Sequence, residues 1–248
     1  MTYKILFVIA HPDDESLWIG GTLSFLSQRP EVETYVICAT GAQDQHRAQE
    51  FEAAINIAGV KNWFIGNEDI PKSGGIPLSD TTRALSNGIN QFGIQMGDFD
   101  LIVTHSFYGD EHLHCQHSQL FQIMYEMSST RLVPFGFFST ATVPYFKLQP
   151  VMLDMRRDGS THIINNCYCE GNYRGLSPYK FYQFKIDGIT KSKMLRCYQS
   201  INQEEHQKGY ASWDSDIENI YVLDAQGSKP FDDIYNNLHI PAGNGLFQ

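Results

Sequence analysis

Three short apolar runs, separated by helical patterns, restrict the fold of this chain more than any other feature of its sequence. Residues 4–10 (KILFVIA), 31–40 (EVETYVICAT) and 100–104 (DLIVT) are rich in apolar and β-branched side chains. Runs of this kind are typical of strands that are buried on both faces of a parallel sheet. We therefore expect an α/β fold.

Amphipathic segments separate these runs, and two shorter apolar segments extend the alternation. The predicted helices cover residues 16–27, 44–58, 80–92 and 118–127, and the two short strands cover residues 63–65 and 135–139. Strands that alternate with helices along a chain are typical of a doubly wound sheet. We predict a Rossmann-like, mostly parallel sheet of order 3-2-1-4-5, with helices on both faces and a C-terminal elaboration.

The alternation ends near Thr140. Beyond it the pattern indicates one further strand at residues 182–186 and one helix at residues 189–200, and the stretch from about Asp224 has the composition of a loop. No Ser/Gly-rich linker divides the chain. We therefore predict a single domain over residues 1–248, in which 1–140 form the doubly wound core and 141–248 the elaboration.

Composition disfavours several classes of function. The 28 acidic residues outnumber the 18 basic ones, and a net charge of −10 is unsuited to binding the phosphates of nucleic acid. The sequence contains no apolar run of the roughly 20 residues that a transmembrane helix needs, and its first residues lead into a strand without a cleavage site, so we predict a cytoplasmic protein. Five irregularly spaced cysteines do not indicate a disulfide framework.

Two unusual polar clusters follow predicted strands. HPDDE, residues 11–15, comes directly after the first strand, and His105, His112, His114 and His117 follow the fourth strand. Taken singly, the acids could complement the dipole of a helix N-terminus and the histidines could belong to a solvated loop. In a sheet of order 3-2-1-4-5, however, both clusters lie at the carboxyl ends of adjacent strands, where ligands bind.

The spacing within these clusters is typical of a catalytic metal site. His11 and Asp14 can direct a nitrogen and an oxygen at one point, and either His114 or His117 can supply a third ligand, His117 from the stiffer start of a helix. Three protein ligands with one open position are typical of catalytic zinc, which makes hydroxide accessible near neutral pH. Asp13 could then accept a proton, and His114 could stabilise an oxyanion or protonate a leaving amine. The pattern predicts metal-assisted hydrolysis.

Four segments carry a resemblance to a known family. AHPDDE, residues 10–15, resembles the opening motif of the LmbE-like, or PIG-L, family of zinc-dependent N-deacetylases. Residues 40–60 (TGAQDQHRAQEFEAAINIAGV), 109–117 (GDEHLHCQH) and 184–200 (FKIDGITKSKMLRCYQS) are similar to further segments of that family. The likeness covers most of residues 4–200 except about 140–180, and HPDDE with a later His-x-x-His is a specific pair.

The resemblance implies a role for each matching residue. Its metal ligands would be His11, Asp14 and His117, which would hold Zn²⁺ or another divalent first-row metal. Asp13 would be the general base and His114 the histidine that acts in the transition state. The remaining implied residues are Arg47, Asp69 and His112 in substrate binding and Asp110 beside His114. The implied reaction removes an N-acetyl group from an amino sugar or glycoconjugate.

The sequence departs from the family pattern at two positions. Gln116 stands where relatives often carry a carboxylate, which leaves Asp110 or Glu111 to orient His114. His112 stands where some relatives place a tyrosine, so either His112 or Tyr108 could polarise the carbonyl.

Other functions remain open at this level. The same metal site could cleave another small amide, such as a thiol-sugar conjugate, or the chain could be a non-catalytic module that binds a sugar or nucleotide. A dinucleotide enzyme is disfavoured because Gly20 and Gly21 do not form a GxGxxG turn. Both a monomer and a homo-oligomer are compatible with the sequence.

Overall fold

The strands in the described part of the chain form one mixed sheet. The computed structural model describes residues 2–66, 78–107, 114–139, 180–186, 188–201, 207, 213 and 215–237. The strands are β1 Tyr3–Ile9, β2 Val32–Cys38, β3 Asn62–Ile65, β4 Leu101–Thr104, β5 Phe135–Ser139, β6 Lys180–Lys185 and β7 Ile217–Val222. Their order is β3-β2-β1-β4-β5-β7-β6, so the predicted 3-2-1-4-5 core is confirmed.

Strand β1 lies at the centre of the parallel part of the sheet. It pairs with β2 from Tyr3↔Val32 to Ile9↔Cys38 and with β4 from Ile5↔Leu101 to Phe7↔Val103. Successive side chains of a strand point to opposite faces. Ile5, Phe7 and Ile9 accordingly join one buried apolar cluster while Leu6 and Val8 join the other, which explains the continuous apolar run.

The C-terminal elaboration differs from the prediction. Strand β7 was not predicted, and it pairs antiparallel with both β5 and β6, so the sheet gains two strands at this edge instead of one. The final stretch was expected to be loop, but residues Ala225–Asn237 form a helix. Its Phe231 and Ile234 are buried in the apolar cluster on one face of the sheet, and this packing outweighs the Gly and Pro that the segment contains.

Apart from the last one, the helices of the described residues lie close to the predicted segments, with one interruption. The α-helices among the described residues are α1 Asp14–Trp18, α2 Gly20–Ser27, α3 Gln45–Ile57, α4 Leu78–Phe92, α5 Cys115–Arg131, α6 Gly188–Leu195 and α7 Ala225–Asn237. The helix predicted over residues 16–27 is broken at Ile19, because the N–H groups of Gly21 and Thr22 donate to the Glu218 carboxylate at 3.1 and 2.7 Å. Those two N–H groups therefore do not donate to carbonyl groups one turn earlier, as they would in a continuous helix.

The topology places two loops at one point. Strand order reverses at β1, so the chain after β1 and the chain after β4 meet beyond the carboxyl ends of the strands. HPDDE follows β1 and His105 follows β4.

Within the described residues, the helices are all too short or too polar to cross a membrane.

Candidate metal centre

The turn after β1 has an unusual backbone conformation. Asp13 has φ 126° and ψ −28°, outside the regions that residues with a side chain normally occupy. Such a conformation costs about 1–3 kcal/mol and persists only where surrounding contacts hold it. The carbonyl of Asp13 accepts from the N–H groups of Ser16 and Leu17, and these bonds start α1. The strained residue is also the predicted general base.

The turn and helix α5 bring together the three predicted metal ligands. His11 Nδ1 lies 3.1 Å from His117 Nε2 and 3.4 Å from Asp14 Oδ2, and His117 Nε2 lies 3.2 Å from Asp14 Oδ1. All three residues are buried. Ligand atoms about 2.0–2.2 Å from a tetrahedral zinc ion are separated by about 3.3–3.5 Å. The donor set and its spacing therefore fit a divalent metal ion.

Neighbouring groups orient these side chains. The carboxamide oxygen of Gln116 makes a short hydrogen bond with His11 Nε2, which places the proton there and leaves the Nδ1 lone pair facing His117. Asp14 accepts from the His11 backbone N–H at 2.8 Å and from Trp18 Nε1 at 3.3 Å. A histidine whose far nitrogen is hydrogen-bonded has a fixed tautomer, as metal-binding histidines usually have. Neither the contact between Gln116 and His11 nor the role of Trp18 was predicted.

The ionisation state of Asp14 suits metal binding. Burial alone would raise the pKa of this carboxyl, but the imidazoles of His117 and His105, with the hydrogen bonds that Asp14 accepts, hold the pKa well below its usual value. Burial lowers the pKa of His105 to about 3, so that ring is neutral at physiological pH. Asp14 is therefore a carboxylate, the form that binds cations.

His105 belongs to the centre, although the sequence analysis placed it after the fourth strand without assigning it a role. It is fully buried, its ring stacks on His117 at 3.9 Å, and its Nε2 lies 3.2 Å from Asp14 Oδ2. Ala10 donates its backbone N–H to the same nitrogen at 3.1 Å. Asp14, His105 and His117 thus form a second set of groups close enough to hold a metal ion. The signal available in the sequence was its place, directly after β4.

His114 caps helix α5 beside the ligand set. Its ring centroid lies 4.6 Å from that of His117 and 4.9 Å from that of His11. His11, His114 and His117 also form a group close enough to hold a metal ion. The position allows His114 to act either as a ligand or as an acid beside the ion.

Arg47 contacts the turn directly. Its Nη2 lies 2.6 Å from Asp13 Oδ2, and its Nε and Nη2 donate to the Pro12 carbonyl at 3.2 and 2.9 Å. The side chain is 21% exposed, so part of it reaches the surface, and its role in substrate binding stays a prediction. Asp69, Asp110 and His112, as well as Tyr108 and Glu111, lie outside the described residues.

The residues of this centre lie within a segment that matches a known protein family. A family model described as PIG-L: GlcNAc-PI de-N-acetylase matches residues 6–128. The chain carries a PIG-L family domain. This confirms the family that the HPDDE and His-x-x-His segments indicated, and the matched region of the PIG-L domain contains every residue of the centre.

One curated relative and several solved structures are similar to this PIG-L protein. The 1D-myo-inositol 2-acetamido-2-deoxy-alpha-D-glucopyranoside deacetylase of Corynebacterium diphtheriae is 28% identical over 109 residues, which are 35% of this chain and 37% of that protein. The match thus spans little more than a third of that relative.

The similar structures share the fold at low sequence identity. A deacetylase of the teicoplanin biosynthetic pathway, solved as a triple mutant, has a TM-score of 0.51 at 14% identity and covers 88% of this chain and 97% of its own. GalB, the 4-carboxy-2-hydroxymuconate hydratase of Pseudomonas putida KT2440, has a TM-score of 0.52 at 15% identity, with 90% and 97% covered. Since one is a deacetylase and the other a hydratase, the fold alone does not determine the reaction.

Proposed function

We propose that this protein is a metal-dependent hydrolase that removes the acetyl group from the nitrogen of an N-acetylated amino sugar or glycoconjugate. The observation that carries the proposal is the convergence of His11, Asp14 and His117: His11 Nδ1 lies 3.1 Å from His117 Nε2, and the two rings approach different oxygens of Asp14 at 3.4 and 3.2 Å. Membership of the PIG-L family and the sugar deacetylase from Corynebacterium diphtheriae support this substrate class.

His11, Asp14 and His117 would hold Zn²⁺ or another divalent first-row metal. When bound at such a site, the ion lowers the pKa of water and polarises a carbonyl. Asp13 neighbours the ligand Asp14 in the chain, and Arg47 binds its Oδ2. The Asp13 carboxylate would accept the proton that the attacking water loses. The reaction consumes one amide and one water and yields acetate and a free amine.

His114 would donate a proton from its ring to the leaving nitrogen. Its half-buried ring next to His11 and His117 supports this role. Arg47 would contact a substrate hydroxyl with the part of its guanidinium that reaches the cleft, while Asp69 and His112 as substrate contacts and Asp110 beside His114 remain predictions.

Metal content and deacetylation, measured on the same preparations, test the proposal. Elemental mass spectrometry should find about one zinc per chain in the native protein and none in His11→Ala or His117→Ala. Acetate release should be followed on N-acetylglucosamine, its inositol glycoside, chitooligosaccharides and a thiol-sugar conjugate. The exposed His46 provides the matched control for metal content, since His46→Ala removes a histidine outside the ligand set and should keep the metal.

Two further variants separate binding from chemistry. Asp13→Asn should keep the metal and lose about 10²–10⁴-fold in kcat, because a general base contributes that much. His114→Ala should also keep the metal if His114 is the acid, and should lose it if His114 is a ligand. A native protein that binds no metal after zinc is supplied would contradict the hydrolase and favour a binding module.

A further inference from the structure

The peptide group between Pro12 and Asp13 is held on both of its polar sides. Arg47 donates two hydrogen bonds to the Pro12 carbonyl, at 3.2 Å from Nε and 2.9 Å from Nη2. On the opposite side, the N–H of Asp13 donates to Glu15 Oε2 at 3.1 Å. These contacts fix the orientation of the peptide plane that precedes the strained Asp13 backbone.

Glu15 is itself anchored from a distant part of the chain. Its side chain is fully buried, and its other oxygen, Oε1, accepts from the hydroxyls of Ser16 and Tyr198, each at 2.6 Å. Tyr198 is fully buried and lies just beyond helix α6, 183 residues after Glu15. Since Tyr198 has no exposure to the cleft, it has no direct contact with a substrate there.

Helix α3 connects the two ends of this arrangement. Glu50, one turn after Arg47, accepts from the backbone N–H groups of Gln199 and Ser200 at 2.7 and 2.8 Å, and from the Ser200 hydroxyl. One helix therefore holds the Pro12 carbonyl through Arg47 and the segment that carries Tyr198 through Glu50. The contacts of Arg47, Glu15, Tyr198 and Glu50 form a closed hydrogen-bond network around Asp13.

We propose that Tyr198 is a positioning residue for Asp13, acting through Glu15, and that Glu50 holds Tyr198 in place. Without the tyrosine hydroxyl, Glu15 loses its distant anchor and the Asp13 backbone can relax from φ 126° toward ordinary values. The Asp13 carboxylate would then move relative to His11, Asp14 and His117. The kinetic part of this inference rests on the proposed function, and the geometric part does not.

Tyr198→Phe should lower kcat about 10–100-fold on the N-acetyl sugar that the native protein hydrolyses, because a misplacement of about 1 Å at a reacting group can cost about 10²-fold. Zinc content and KM should stay within about threefold of the native values. If Tyr198 had only a structural role, Tyr198→Phe would lower thermal stability without lowering kcat at an unchanged KM.

Tyr182 provides a matched control. It is also buried, and its hydroxyl donates to the Ser228 carbonyl at 3.0 Å and to Asp232 at 2.8 Å, in the region of helix α7. Tyr182→Phe removes the same atom and the same kind of bond to a carboxylate. It should lower the melting temperature as Tyr198→Phe does while leaving kcat unchanged.

A second pair of variants tests Glu15, which connects Tyr198 to Asp13 in this network. Glu15→Gln keeps an oxygen for the N–H of Asp13 and a group that can bond to Tyr198, so its kcat should stay within a few-fold of the native value. Glu15→Ala keeps neither and should lose at least as much kcat as Tyr198→Phe. These variants also serve if Tyr198→Phe does not fold.

Crystal structures of Tyr198→Phe and Glu15→Ala test the positioning role of Tyr198 independently of activity. We expect the φ angle of Asp13 to leave the region near 126° and its N–H to lose the Glu15 contact. An unchanged Asp13 in both variants, or native kcat in Tyr198→Phe, would overturn the positioning role. If the native protein hydrolyses no N-acetyl sugar but Asp13 still moves in the variants, the proposed function fails and the positioning role stands.

Discussion

Gln116 presents a neutral oxygen to a buried histidine of the centre. Where a carboxylate would bring a full negative charge to the imidazole, the carboxamide supplies only a hydrogen-bond acceptor to His11 Nε2. The hydrogen bond with Gln116 fixes the tautomer of His11, but it stabilises a metal-bound imidazole less than a bond to a carboxylate does.

We therefore expect Gln116→Leu to weaken zinc affinity about 10–100-fold, the usual effect of removing such a partner. Gln116→Glu is isosteric and should bind zinc at least as tightly as the native protein. Competition with a chromogenic chelator at fixed pH measures both constants. Native affinity in the leucine variant would mean that Gln116 does not orient His11.

Cys38 should be chemically inert in the folded protein. Its thiol is fully buried at the end of β2, and burial raises its pKa well above the usual value. Because the thiolate is the reactive form, raising the pH from 7 to 9 should leave Cys38 unlabelled by iodoacetamide. Peptide mass spectrometry should find Cys38 labelled only after unfolding in urea, and labelling of the native protein would contradict this burial.

At the scale of elements, glycine sets how closely α2 approaches the chain after β6. A Cβ added to Gly21 would lie 2.3 Å from Ile186 Cβ, closer than two carbon atoms can pack. Gly21, which forms no nucleotide-binding turn, thus has a packing role. Gly21 also donates its N–H to Glu218, which links α2 to β7.

Gly21→Ala should lower the free energy of unfolding by about 1–3 kcal/mol, the usual range for overpacking a core. Gly97 is the control, because a Cβ there meets no atom of the described chain within 4 Å. Gly97→Ala should change stability by less than about 0.5 kcal/mol, as exposed substitutions usually do. Urea unfolding compares the two, and equal stabilities would show that α2 can move away from Ile186.

At the scale of the molecule, the two parts of the chain share one apolar cluster. Phe51 and Leu101 from the doubly wound part and Tyr182, Ile220 and Phe231 from the C-terminal part belong to it. The single domain over residues 1–248 stays a prediction. The described residues nevertheless bury the C-terminal strands and helices against the same sheet.

A buried ion pair ties three elements together. Lys191 on α6 lies 3.3 Å from Glu218 on β7, both side chains are about 2% exposed or less, and Glu218 accepts from the start of α2. Lys191→Met leaves a buried carboxylate without its cation and should cost about 3–5 kcal/mol of unfolding free energy.

Two comparisons check the ion-pair prediction. Lys193→Met removes an exposed lysine from the same helix and should have little effect. The double variant Lys191→Met with Glu218→Gln should be more stable than Lys191→Met alone, because the unpaired charge is gone. Urea unfolding gives the four free energies, and native stability in Lys191→Met would contradict a contribution from the pair.

Local patterns in the sequence were sufficient for most of the fold. Apolar runs predicted β1 to β5, and 3.6-residue periodicity predicted α3, α4 and α5 to within a few residues at each end. Strand order and the switch point follow from general rules for parallel sheets, and with the family resemblance they led to His11, Asp14 and His117. These inferences depend on short stretches of chain and on rules that many proteins share.

Contacts between distant segments decided the rest. Glu218 breaks the helix after Trp18 from 196 residues away, and core burial of Phe231 and Ile234 keeps α7 helical despite Gly227 and Pro230. In the same way, the Tyr198 and Glu15 contact and the His105 ring against His117 join segments that no local pattern connects. Hydrophobic periodicity is a property of neighbours along the chain, whereas these partners become neighbours only when the sheet has assembled.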